Sequence, residues 1–232
     1  MIDRASWWSV RTALVALVAV LAVSLPAGAA EPAKEILALG SFGFLDEAGV
    51  LAATGARLKQ EVGSGDLKDQ FKVIVLANVA FDALPEAVQV GLPGFVRAGG
   101  ALLITGGPQS FGSGGYDAIA ELVPFELRNR SDFRVMPFRS PVPLQPDHPV
   151  LAGVRFETIG ALNDMNPRPG ATEILRMSGG GNAGYPYPLI AEIAVGSGRV
   201  LGFAFDLADL GGMPDRDRLM QNALSYLSDA AR

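Results

Sequence analysis

Apolar residues in this chain come in short unbroken blocks, and between the blocks they recur at helical spacing. Ile36-Leu37-Ala38-Leu39-Gly40 is the first block, and it reads as a buried strand, because a strand covered on both faces has no polar side to present. Asp46 and Glu47 then open a helical stretch with Val50 or Leu51, Thr54 and Leu58 on one side, closed by Gly63-Ser64-Gly65-Asp66. Phe71 to Asn78, FKVIVLAN, is the clearest strand, a continuous apolar and β-branched run. Pro85 to Ala98 places Val88, Leu92, Phe95 and Val96 at helical spacing, with Gly99 as the stop. Pro93 inside it lacks the amide that would bond back one turn, which predicts a kink. Ala101 to Thr105 is the next strand. Strand, helix, strand, helix, strand predicts a parallel sheet with right-handed crossovers.

The second half is less regular. Tyr116 to Leu127 reads as a short helix giving way to an extended piece, and the proline-rich stretch from Arg128 to Gly170 yields only one strand, over Phe133 to Phe138. Strands return at Thr172 to Arg176 and Pro188 to Val195, and again at Val200 to Asp206 after the turn Gly196-Ser197-Gly198-Arg199. The last two form an antiparallel hairpin. A closing helix over Asp215 to Leu227 sets Leu219, Ala223 and Leu227 beside Met220 and Leu224. Ser178 to Gly184 reads as a loop, and no repeat is visible.

Composition refines this picture at four points. With 232 residues, 49% apolar and 19% charged, the chain buries a full core and is expected to form one domain over residues 31–232. Residues 1–30 read as a signal peptide: Arg4 and Arg11 begin it, Ala13 to Leu25 is its apolar run, and Ala27-Gly28-Ala29 offers small residues for cleavage. That reading implies a periplasmic or extracellular location. Its alternative is an inner-membrane anchor over residues 7–25, the one membrane contact the sequence suggests. Cysteine is absent, which excludes disulfides, a lipid anchor on cysteine, thiol nucleophiles and thiolate metal sites. The formal net charge is −5 and no run of Lys or Arg stands out, so no nucleic-acid partner is expected.

Candidate chemistry gathers around GGALLITGGPQSFGSGGY, Gly99 to Tyr116. A glycine-rich loop directly after a buried strand is how open α/β sheets build sites at the carboxyl ends of their strands. Its amides from Gly106 to Gly115 are suited to an anion or a developing negative charge. The candidate ligand-binding residues are therefore Asn78, Gly106, Gly107, Pro108, Ser110 and Asp206. A serine hydrolase would use Ser110 or Ser113 as nucleophile, His148, the only histidine, as base, and Asp147 or Asp206 to orient it; neither serine lies in a G-x-S-x-G elbow. Asp206, Asp209, Asp215 and Asp217 match no metal-loop spacing and suit a helix start, so no metal or cofactor is expected. Tyr116, Tyr185 and Tyr187 are candidates for an aromatic contact surface.

Three stretches carry a family resemblance. Val96 to Gly107 with Ser110-Phe111-Gly112 and Gly114-Gly115-Tyr116, then Asp147 to Val154 (DHPVLAGV), then Gly198 to Asp206 with Leu219 to Leu224, resemble the glutamine amidotransferase-like family of bacterial envelope proteins and its trehalose-utilisation-type relatives. The resemblance spans roughly residues 34 to 230 and implies a class I glutamine amidotransferase-like fold: α/β, three-layer and flavodoxin-like, a mainly parallel sheet ending in an antiparallel hairpin. It also implies that Gly106-Gly107-Pro108 corresponds to the loop that holds the oxyanion in active members. Those enzymes use a cysteine with a downstream histidine and acid, and this chain has no cysteine. The resulting expectation is an exported protein without amidase activity that binds a small molecule or an envelope protein. The alternatives are a cysteine-independent serine hydrolase and a purely structural interaction module.

Overall fold

In the computed structural model, which describes residues 34–43, 45–128, 130–178, 187–207 and 213–231, the apolar blocks become the centre of one eight-stranded sheet. Strands β1 (Glu35–Gly40), β3 (Phe71–Ala77), β4 (Ala101–Thr105) and β12 (Gly198–Phe203) lie side by side and parallel, with the two-residue β2 (Leu58–Lys59) beyond β1. Antiparallel strands β11 (Pro188–Val195), β10 (Thr172–Met177) and β7 (Pro141–Pro143) continue the sheet on the other side of β12. The flavodoxin-like α/β architecture and the closing hairpin stand as the sequence predicts.

Side chains alternate between two core layers. Val73, Val75, Leu103 and Leu201 pack under α1 (Glu47–Thr54) and α4 (Arg216–Ala230). Ile74, Leu76, Leu102 and Val200 pack under α3 (Glu86–Arg97) together with Leu67 of the one-turn α2 (Leu67–Gln70). These central strands are buried on both faces, which is why their sequences lack polar alternation. The helix α3 runs through Pro93 without ending.

Two local expectations change. The helix opened by Asp46, whose carboxylate accepts from Gly49 N at 2.8 Å, ends early because Gly55 adopts a left-handed φ of +66° and caps it. Leu58 therefore belongs to β2. The proline-rich middle is ordered into two small sheets, β5 (Phe125–Glu126) with β9 (Asn166–Pro167) and β6 (Phe133–Arg139) with β8 (Ile159–Asn163). Asn163 N donates to Ala204 O at 2.6 Å, which brings β8 to the carboxyl end of β12. The described residues all fall within the unit Ala33–Arg232. The expected signal peptide over 1–30, most of the Ser178 to Gly184 loop, Tyr185 and Asp209 lie outside them.

Candidate functional site

Because β3, β4 and β12 are parallel and in register, they end at one edge of the sheet, and the chain must turn outward there three times. At the end of β3, Asn78 takes a φ of +43°, a left-handed backbone that asparagine tolerates better than most residues. At the end of β4, Gly107 has φ +132°, and a Cβ built on it would lie 2.3 Å from Asn78 Cγ. Only glycine allows that approach. Gly106 is equally constrained, since its Cβ would lie 2.6 Å from the Ala204 carbonyl carbon.

The Asn78 amide ties these ends together. Its Nδ2 donates to Asp206 Oδ2 at 2.8 Å, and its Oδ1 accepts from Gln109 N at 2.9 Å. Asp206 is 5% exposed, whereas Pro108 and Gln109 are exposed at this edge of the sheet. Asn78, Gly107 and Asp206, three candidates from different parts of the sequence, thus meet at one place.

The loop's amides have partners inside the chain. Gly106 N donates to Phe205 O at 3.1 Å and Gly107 N to Asn163 Oδ1 at 2.8 Å. Gly112 N and Ser113 N each donate to the Asp132 carboxylate at 3.0 Å. Asn163 Nδ2 in turn donates to Gly107 O at 3.1 Å and to Asp132 Oδ1 at 3.0 Å. The donors that a free oxyanion would need at Gly106, Gly107, Gly112 and Ser113 are engaged by the chain's own carbonyls and buried side chains. The expectation that these amides serve an external anion is corrected accordingly.

The serine and histidine candidates are not brought together. Ser110 is fully buried and its Oγ donates to Thr105 O at 2.7 Å. Ser113 Oγ donates to Asp132 at 2.6 Å. Phe111 and Tyr116, which flank them, belong to the α3 layer, whereas Val150 and Leu151 beside His148 belong to the α4 layer. His148 packs edge-on against Tyr226 at 4.8 Å between ring centroids and caps the short helix Pro149–Leu151, its Nδ1 accepting from Val150 N at 3.3 Å. Its Nε2 faces Glu192 at 3.7 Å. The sheet separates the supposed nucleophiles from the supposed base.

Tyr116 is also corrected: it is core, packed on Phe81 and Phe111, its hydroxyl donating to Val79 O at 2.9 Å. Burial pushes that hydroxyl's pKa well above the ordinary tyrosine value. Tyr187 is half-buried against the α4 layer. Asp215 sits at the N-terminal end of α4 and accepts from Arg155 N and Nε, both at 2.9 Å. Among the described residues, no group of three or more His, Asp or Glu side chains is placed to hold a metal.

The fold has known counterparts. Two cytoplasmic proteins of Salmonella typhimurium superpose with TM-scores of 0.65 each, at 17% and 16% identity, covering 83% and 84% of this chain and 98% and 99% of theirs. A ThuA-like protein from Parabacteroides merdae superposes at a TM-score of 0.56 and 13% identity, covering 86% of this chain and 91% of its own. This chain has the fold of the ThuA-like proteins. No protein-family model matches the sequence, and no curated protein matches it. The Salmonella neighbours also correct the expected location: both are cytoplasmic proteins, in conflict with export or an inner-membrane anchor. No helix among the described residues is long and apolar enough to cross a membrane.

On this ThuA-like fold, the site residues that sequence reasoning missed are Asp132 and Asn163. Both are fully buried polar side chains. Nothing local marks Asp132, which lies in the irregular connection between β5 and β6. The faint sign at Asn163 is a polar residue closing an apolar run, Ile159 to Leu162. An open cleft of about 510 Å3 is lined by Asp117, Phe125, Leu127 and Arg168 and not by Asn78, Gly107 or Asp206.

Proposed function

We propose that this chain is a binding protein without amidase activity on a glutamine amidotransferase-like, ThuA-like fold, which holds a small molecule at the mouth formed by Asn78, Gly107, Pro108 and Asp206. The observation that carries the reading is the Asn78–Asp206 hydrogen bond beside Gly107, at the carboxyl edge where open α/β sheets place their ligands. The mouth holds a carboxylate and a carboxamide, and the adjacent backbone donors are engaged internally. The negative charge of Asp206 favours a neutral or cationic ligand over an anion at this edge. A sequence without cysteine, together with serines separated from the single histidine, argues against acyl transfer at this edge.

The test is a glutaminase and esterase assay on the full chain, run beside a thermal-shift screen of polyols, amines and carboxylates. Neutral or cationic compounds are expected to raise the melting temperature, and Asn78→Ala to abolish the shift. Turnover of glutamine or an ester overturns the non-enzymatic reading; shifts confined to carboxylates overturn the mouth's ligand class.

A further inference from the structure

Gly112 and Ser113 present consecutive backbone amides to one side of the glycine loop. Phe111 just before them holds a φ of +52° while fully buried, and a left-handed residue in a tight turn curls successive N–H groups into a concavity suited to an oxyanion. That concavity holds the Asp132 carboxylate. Its Oδ2 lies 3.0 Å from Gly112 N; its Oδ1 lies 3.0 Å from Ser113 N, 2.6 Å from Ser113 Oγ and 3.0 Å from Asn163 Nδ2. All four donors are neutral, and all converge on the two oxygens. Asp132 reaches them from the connection between β5 and β6, where the preceding Arg130 and Ser131 are exposed.

A carboxylate accepts up to four hydrogen bonds in its plane, and hydrogen bonds to an ionised acceptor are the strong ones. An arrangement that supplies all four donors to a residue from elsewhere in the chain has the chemistry of a ligand site. We propose that the Gly112–Ser113 nest is a carboxylate receptor, filled in this chain from within by Asp132, and that it accepts a free carboxylate when that side chain is removed. The occupant has a second effect. Asn163 shares its Nδ2 between Asp132 Oδ1 and Gly107 O while its Oδ1 accepts from Gly107 N, so filling the nest orients the residue that fixes Gly107. This proposal is independent of which ligand the Asn78 mouth takes.

The experiment uses the full chain carrying Asp132→Gly, titrated with sodium formate or with sodium chloride at equal ionic strength. Melting temperature and the amide resonances of Gly112 and Ser113 are followed together. The variant is expected to melt well below the parent. Formate is expected to recover at least half of the loss, saturably, and to move those two resonances, whereas chloride does neither. Equal effects of the two salts, or unmoved Gly112 and Ser113 amides, overturn the proposal. If the variant folds only with ligand, the refolding yield in formate against chloride decides in the same way. Asp132→Asn is a second reading: its amide NH2 faces donors, so it is expected to melt below the parent, and melting at the parent temperature sinks the idea.

Discussion

The contact between Gly107 and Asn78 separates two costs that a glycine substitution usually mixes. At Gly107 an added methyl meets both a φ of +132° and the Asn78 carboxamide 2.3 Å away. At Gly115 φ is +75° and nothing lies within 4 Å. Gly115→Ala is therefore a measure of backbone strain alone, about 1 kcal/mol. Gly107→Ala adds steric displacement and should cost on the order of 2–4 kcal/mol in urea unfolding. Asn78→Ala forfeits the bonds to Asp206 and Gln109, about 1–2 kcal/mol, and places alanine at a φ of +43°, about 1 kcal/mol more. Because it also removes the obstacle, the double variant should be less destabilised than the two losses added together. Strict additivity would show that Asn78 and Gly107 do not press on each other.

At the scale of elements, α4 is tied at its start to the segment leading into β8 through Asp215 and Arg155. Hydrogen bonding from the Arg155 guanidinium, then from its backbone N–H, holds the Asp215 carboxyl below its ordinary value. A carboxyl with a depressed folded-state pKa stabilises fully above its unfolded value of about 4, and that contribution disappears as pH falls through the depressed value. Arg155→Gln should accordingly melt below the parent at pH 7, with the gap closing as pH falls below the ordinary carboxyl range and through the depressed Asp215 value; a gap independent of pH would assign the loss to packing. The same connection marks where sequence reading runs out. The buried blocks β1, β3, β4 and β12 and the faces of α3 and α4 are legible because each is a local period, and Asn78, Gly107 and Asp206 are legible because strand ends concentrate polar and glycine residues. Asp132 and Asn163 are not, since their roles exist only once β8 bonds to Ala204 and the β5–β6 connection folds over the loop. Gly55 likewise ends α1 through one backbone angle that no apolar period encodes.

For the whole molecule, the sheet's two outer strands decide whether it stays closed to other copies. One end is the two-residue β2, bearing the charged Lys59, and short charged edges pair poorly. The other is β7, Pro141–Pro143, whose partner β10 it meets at Val142 opposite Arg176. Ser178 N donates to Ser140 O at 2.9 Å and Leu144 N to Ile174 O at 2.9 Å, so residues 140, 142 and 144 turn their backbone groups toward β10. By strand alternation, 141 and 143 turn theirs outward. Both are prolines, so the open edge lacks an N–H at each outward position and cannot donate to another strand. Replacing both with threonine restores those donors without removing a bond within the chain. Stability should change by no more than about 0.5–1 kcal/mol, while light scattering and size-exclusion chromatography should register concentration-dependent association absent from the parent. A double variant that elutes and scatters as the parent does would mean that the shortness of β7, three residues, already prevents pairing.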